Sequence, residues 1–227
     1  MKIGVFGGTF NPIHYGHLRA AEEAREMLEL DKVLFIPAGN PPLKSHNIAD
    51  AEKRFQMVTI ATAGNEFFEV LDIECSRTGK SYIVETLEEL LGRYPHAGLY
   101  FLLGIDAFLD IPNWCRPDQV ISMVDFVILA RPGHFFRDLQ ASPYLHADKA
   151  ALALMDNSGI ADHAKVDMKS GKKAILMRGM SLAISSTDIR NRLQTGRSTK
   201  YLLPEQIESF IISNSLYGAL NGVNECQ

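Results

Sequence analysis

Lys2-Ile3-Gly4-Val5-Phe6-Gly7-Gly8-Thr9-Phe10-Asn11-Pro12-Ile13-His14-Tyr15-Gly16-His17-Leu18 opens the chain, and its reading decides the fold. Residues 2–6 read as a short buried strand, and Gly7 and Gly8 then punctuate a loop. From Gly16 onward, Leu18, Ala21, Ala24 and Leu28 keep helical spacing, which predicts a helix to about Glu29. Two glycines directly after a first strand let a phosphate approach the backbone closely. His14 and His17 stand three residues apart where the chain enters the helix, a spacing that shares one face. Gly16 between them leaves room for a ligand. The helix N-terminus adds unpaired N–H donors and a partial positive charge. Two imidazoles beside it form an anion cradle, since each donates a hydrogen bond even when neutral.

Outward from this stretch, strand and helix signals alternate. Residues 33–36, 67–73, 99–103, 126–129 and 174–177 read as strands. Helices are predicted through Phe55, Val58 and Ala61, over residues 81–91, beyond Trp114, from Ser186, and from Pro204, where proline suits a first turn. Between about residues 134 and 172 the pattern weakens, although residues 149–155 could be helical. Strands separated by helices require βαβ crossovers, hence a mainly parallel, doubly wound α/β sheet covered on both faces. The expected organisation is a single domain over residues 1–227, with a less regular insert at about 134–172 and a C-terminal phosphate-binding and helical segment at 184–217. Ligands in such folds sit at the carboxyl ends of strands, which directs attention to the loops after Phe6, Ile36, Leu103 and Leu129.

Composition narrows the function classes. The chain has 227 residues, 46% of them hydrophobic and 22% charged, a globular balance that excludes a disordered or collagenous chain. The longest apolar stretches are strand-length, far short of the ~18 to 20 residues of a membrane helix. Pro12 and His14 interrupt any signal-like start. Cys75, Cys115 and Cys226 are odd in number and widely spaced, so reduced thiols in a cytoplasmic protein are expected. A net charge of -4 argues against a bulk electrostatic nucleic-acid binder, but not against small anions held by local cations and N–H groups.

A second constellation lies late in the chain: Ile184-Ser185-Ser186-Thr187-Asp188-Ile189-Arg190. Ser186 or Thr187 can cap the following helix, whose exposed N–H groups face an anion. Arg190, one turn in, reaches the same phosphates with a planar fork. Alone, Ser-Ser-Thr is an ordinary cap; paired with the first motif it reads as functional. Two decoys fall away. The G-x-G-x-x-G fingerprint is absent, and Gly79-Lys80-Ser81 lacks the first P-loop glycine, which would fall at Glu74. The two histidines have no third ligand nearby at a metal-site spacing.

Together, His14-Tyr15-Gly16-His17 and the Ser-Ser-Thr-x-x-Arg segment resemble the nucleotidyltransferase superfamily. Further segments resemble bacterial nicotinate mononucleotide adenylyltransferases: Pro37-Ala38-Gly39-Asn40-Pro41-Pro42-Leu43-Lys44, Lys80-Ser81-Tyr82-Ile83-Val84-Glu85-Thr86-Leu87, Leu103-Gly104-Ile105-Asp106-Ala107-Phe108, Ile111-Pro112-Asn113-Trp114, Arg131-Pro132-Gly133 and residues 203–217. The resemblance spans nearly the whole chain except about 134–172. Departures are Leu43 where family members often carry histidine, Ile83 for threonine, Glu85 for aspartate, and Cys115 for tyrosine.

The resemblance implies a Rossmann-like fold and adenylyl transfer from ATP to nicotinate mononucleotide, giving deamido-NAD and pyrophosphate in NAD biosynthesis. It implies catalytic roles for His14, His17 and Arg190. ATP and phosphate contacts would come from Gly7, Gly8, Thr9, Phe10, Lys44, Gly104, Ser185, Ser186 and Thr187. The mononucleotide would meet Asn11, Tyr82, Ile83, Asp106, Trp114, Cys115 and Arg131, with Asp106 on ribose hydroxyls and Trp114 stacked on the pyridine. Mg2+ is the expected cofactor, bridging ATP oxygens, with no protein metal ligands. The expected partners are ATP and nicotinate mononucleotide, without nucleic acid or membrane; no oligomeric state can be read. Alternatives are transfer to nicotinamide mononucleotide or to both pyridines, then to phosphopantetheine, cytidylyl transfer, and a non-catalytic nucleotide-binding regulator. The His-x-Gly-His element also occurs in class I aminoacyl-tRNA synthetases, but the length and basic surface for tRNA are missing.

Overall fold

In the computed structural model, which describes residues 1–41, 48–157, 162–180 and 182–219, β1 (Lys2–Gly8) lies inside an eight-stranded sheet. The chain continues through α1 (Tyr15–Leu28), β2 (Lys32–Pro37), α2 (Ala51–Thr62), β3 (Phe68–Val70), α3 (Ile83–Arg93) and β4 (Gly98–Gly104). Next come α4 (Ile105–Leu109), α5 (Pro117–Met123), β5 (Asp125–Leu129), β6 (Leu145–His146), α6 (Lys149–Asp156), β7 (His163–Met168) and β8 (Lys173–Met177). Two helices finish it, α7 (Ser186–Gln194) and α8 (Glu205–Ser213). The strand order is β3-β2-β1-β4-β5-β8-β7-β6. The pairs β2–β3, β1–β2, β1–β4, β4–β5 and β5–β8 are parallel, and β7 runs antiparallel to both β8 and β6.

Alternation along the strands divides the core in two. Ile3, Val5, Leu34, Ile36 and Phe101 face α3, α4, α5 and α6. Phe6, Val33, Phe35, Leu102 and Val127 face α1, α2, α7 and α8. Both faces are therefore covered, as a parallel sheet requires. Among the described residues no helix is long and apolar enough to cross a membrane.

Three sequence expectations shift. The strand predicted over 67–73 narrows to Phe68–Val70, because only these residues register with β2 at the sheet edge. The buried face of α2 is carried by Arg54, Met57, Val58 and Thr62, one step from the predicted Phe55, Val58 and Ala61 stripe. The irregular segment at 134–172 contributes α6 and two strands of the same sheet. Its β7 is half-exposed and alternates Ala164, Val166 and Met168 inward with His163, Lys165 and Asp167 outward.

Candidate active site

A cavity of about 910 Å³ opens at the carboxyl ends of β1, β4, β5 and β8, where strand order reverses between β1 and β4. The loop after β1 forms its floor. Gly8 packs on the Phe10 ring, which a Cβ would approach to 3.1 Å. Phe10 is buried, holds a left-handed backbone at φ 46°, and meets His17 edge-on with centroids 5.1 Å apart. His14 occupies the position before α1, and its carbonyl accepts the His17 N–H at 2.9 Å. The two imidazoles stack, with centroids 3.8 Å apart and planes 25° apart. Gly16 permits the stack, since a Cβ there would lie 3.0 Å from the His14 ring. Burial, reinforced by the charge of Arg131, lowers the His14 pKa to about 4. The ring is therefore neutral at neutral pH. Its Nδ1 has no hydrogen-bond partner among the described residues.

The α7 end forms the facing wall. Ser185, not Ser186 or Thr187, caps the helix: its Oγ accepts the Asp188 N–H at 3.1 Å. Ser186 is thereby released to donate to the Pro12 carbonyl at 2.9 Å. Arg190 donates to the Asn11 carbonyl at 2.8 Å and to Thr187 Oγ1 at 3.2 Å. Two motifs some 170 residues apart in sequence are thus bonded directly to each other. The third wall begins at Gly104, followed by Asp106 in the first turn of α4. Arg131 donates to Asp106 Oδ2 at 3.0 Å, while the buried Oδ1 has no partner among the described residues. A Cβ on Gly104 would collide with both side chains, coming within 2.5 Å of Asp106 and 2.6 Å of Arg131.

Gly7, Gly8, Thr9, Phe10, Asn11, His14, His17, Gly104, Asp106, Arg131, Ser185, Ser186, Thr187 and Arg190 all line this cavity. The Asn11 side chain is already engaged: Oδ1 accepts the Ala49 N–H at 3.0 Å and the Tyr217 hydroxyl at 2.8 Å. Tyr82, Ile83, Trp114 and Cys115 do not line the cavity. They pack, half-buried, against the core between the sheet and α3 to α6. Trp114 meets Phe101 edge-on at 6.3 Å and donates through Nε1 to Asp110 at 3.2 Å. Ile83 still reaches the β1 loop, since a Cβ on Gly7 would lie 3.6 Å from its Cδ1 and 3.4 Å from Phe101. Lys44 lies outside the described residues, as does Leu43.

Sequence reasoning missed three contributors. The β8 end supplies residues 177–180, and Glu23 of α1 accepts the Met180 N–H at 2.6 Å. Tyr217 tethers Asn11 from the C-terminal turn. Arg54, a cation on the apolar stripe of α2, is 1% exposed; a charge at helical spacing with Met57 and Val58 was the available signal. Among the described residues, the cavity's two acids each accept from an arginine, Asp106 through Oδ2 alone from Arg131 and Glu23 from Arg19 at 2.9 Å. Among the described residues, no group of three or more His, Cys, Asp or Glu is placed to hold a metal ion.

Known proteins resemble this chain over most of its length. A cytidylyltransferase-like family model matches residues 5–192. A probable nicotinate-nucleotide adenylyltransferase of Pelobacter propionicus is 41% identical over 219 residues, covering 96% of this chain and 98% of the relative. One of Desulfitobacterium hafniense is 42% identical over 217 residues, 95% of each. Among solved structures, the Plasmodium falciparum nicotinic acid mononucleotide adenylyltransferase complexed with NaAD superposes with a TM-score of 0.73 at 21% identity, covering 96% of this chain and 98% of that one. At that identity the likeness speaks for the fold.

Proposed function

We propose an activity from a premise of descent: the chain belongs to the cytidylyltransferase-like family, among the nicotinate-nucleotide adenylyltransferases. The activity is adenylyl transfer from ATP to nicotinate mononucleotide, yielding deamido-NAD and pyrophosphate. The observation that carries it is the junction at the strand-order reversal, where the stacked His14 and His17 face Ser186 and Arg190 across one cavity.

In this reading the mononucleotide 5′-phosphate oxygen attacks the α-phosphorus of ATP in line. One P–O bond forms, the bond to the leaving pyrophosphate breaks, and no bond to the protein is made. The nucleophile is already ionised near neutral pH, so no strong base is needed. The protein's part is to align the groups and stabilise charge on the transferring phosphoryl oxygens. A neutral His14 donates one N–H to such an oxygen. An approaching polyphosphate also raises its proton affinity, opposing the effect of burial. His17, Arg190 and the main-chain N–H groups at the start of α7 supply further donors, while the Ser186 hydroxyl stays on Pro12, and Asp106 Oδ1 is an open acceptor for a ribose hydroxyl. Gly7 and Gly8 keep the loop low enough for phosphate to approach. Mg2+ fits as the counter-ion of ATP, with ligands from phosphate and water, and when bound it would neutralise polyphosphate charge.

The test is pyrophosphate release with ATP and Mg2+, comparing nicotinate mononucleotide, nicotinamide mononucleotide and phosphopantetheine at matched concentrations. Preference for the nicotinate acceptor is expected. Preference for the amide would keep the chemistry and overturn the substrate. ATP binding without turnover would replace the enzyme by a nucleotide-binding regulator.

A further inference from the structure

Arg54 is almost wholly buried, yet among the described residues it has no ion-pair partner within 4.0 Å. Its guanidinium is spent on four main-chain carbonyls. Nε donates to Ala49 at 2.8 Å, Nη1 to Thr9 at 2.9 Å and to Ala38 at 2.5 Å, and Nη2 to Gly39 at 2.8 Å. Burying a cation is costly unless its donors are satisfied, and since Asp50 and the buried Glu74 favour this charge only from a distance, a guanidinium whose hydrogen bonds all go to carbonyls needs a reason. The four acceptors supply it, because they belong to the loops after β1 and β2 and to the approach to α2.

We infer that Arg54 is a positioning residue for the reaction, holding the loops after β1 and β2 in the arrangement that presents residues 7–10 to the polyphosphate. The inference rests on the activity proposed above. Three observations converge on it. In a planar trans peptide the C=O and the following N–H point in opposite directions. Drawing the Thr9 carbonyl onto Arg54 therefore turns the Phe10 N–H away from it, on a segment that lines the cavity. Phe10 holds a left-handed backbone, a conformation a non-glycine residue keeps only when its neighbours enforce it. The two loops are also bonded to each other, Ala38 N–H to the Gly8 carbonyl at 2.9 Å. The next residue of the second loop is fixed in turn, with Asn40 N–H donating to Ser81 Oγ at 3.0 Å.

Ala49 shows how the tie extends to the far wall. Its carbonyl accepts from Arg54 while its N–H donates to Asn11 Oδ1, which also accepts from Tyr217. The Asn11 carbonyl in turn accepts from Arg190. Arg54 touches no part of the cavity surface, so its action runs through these carbonyls. Only arginine suits this position, since a planar fork reaches four acceptors spread around it, whereas a lysine ammonium offers three donors around a single point.

Arg54→Lys and Arg54→Met test the inference, with steady-state kinetics and amide hydrogen exchange read on each full-length variant. Arg54→Lys should fold with an unchanged circular dichroism spectrum and lose roughly tenfold to 100-fold in kcat. KM for ATP should move by less than about threefold, the pattern of lost alignment rather than lost binding. Exchange should quicken at residues 7–11 and 38–40 while β4 and β5 keep wild-type rates; if Arg54→Met fails to fold, Arg54→Lys decides alone. A kcat within about twofold of wild type for Arg54→Lys, or exchange that quickens evenly across the sheet, would overturn the positioning role. Should the wild type turn over no pyridine mononucleotide, the proposed activity fails, and the exchange pattern still decides whether Arg54 holds the loops.

Discussion

His14 shows how one residue is set by its surroundings. Packed under the loop, stacked on His17 and near Arg131, it gains a proton only at about pH 4 in the folded chain, against 6.5 when unfolded. Between those values the unfolded state binds more protons, so stability falls as pH is lowered from about 6.5 towards 4, by on the order of 3 kcal/mol. Urea denaturation midpoints across that range should show the decline, and His14→Gln should flatten it; an identical slope in the variant would remove His14 as its source. Gly16 makes a second residue-scale test. Alanine is the better helix former, but Gly16 is only the second residue of α1, so Gly16→Ala should melt close to wild type. Its Cβ would press on the His14 ring, however, and kcat should fall roughly tenfold or more. His17→Ala removes a proposed transition-state donor outright and should cost on the order of 10²- to 10³-fold in kcat with the fold intact. Activity within a few-fold of wild type would take His17 out of the mechanism.

At the scale of elements, the start of α7 divides labour between adjacent serines. Ser185→Ala deletes the cap to Asp188 and should lower unfolding free energy by about 1 kcal/mol, measured by chemical denaturation. Ser186→Ala instead cuts the tie to Pro12, and its effect should appear in kcat. An equal stability loss from both variants would contradict this division. The sequence pattern locates α7 but not which hydroxyl caps it, because a cap depends on the local backbone: Ser185 is extended at φ -129° while Ser186 is already helical. The long helices and buried strands are legible because their apolar residues repeat at the period of the element. The two-residue β6 is too short to show a period, and half-exposed β7 has only Ala164, Val166 and Met168 to mark its inner face. Arg54 escapes such a reading because its four partners are carbonyls, which every residue type carries and no side-chain pattern announces.

Across the whole molecule, the sheet separates two groups of residues that the sequence motifs place in one site. The cavity draws on β1, β4, β5, β8, α1 and α7, whereas Tyr82, Ile83, Trp114 and Cys115 pack with α3 to α6 on the other face. A pyridine bound near Trp114 would approach the β1 loop from that side, past Ile83 and Phe101. Emission from Trp114, the sole tryptophan, should therefore change on saturation with nicotinate mononucleotide and stay nearly constant with ATP alone. The reverse would place the pyridine elsewhere. By itself the sequence determined the doubly wound α/β class, written in the period of its apolar residues, and the positions of two motifs, His14-Tyr15-Gly16-His17 and Ser185-Ser186-Thr187 with Arg190, whose resemblance to known proteins pointed to the family. Tertiary structure alone decided that Ser186 and Arg190 close on residues 11 and 12, that Asp106 pairs with Arg131, and that Arg54 binds the loops from within. Those contacts join residues far apart in the chain through main-chain carbonyls and burial, and such partners exist only once the strands have been ordered side by side.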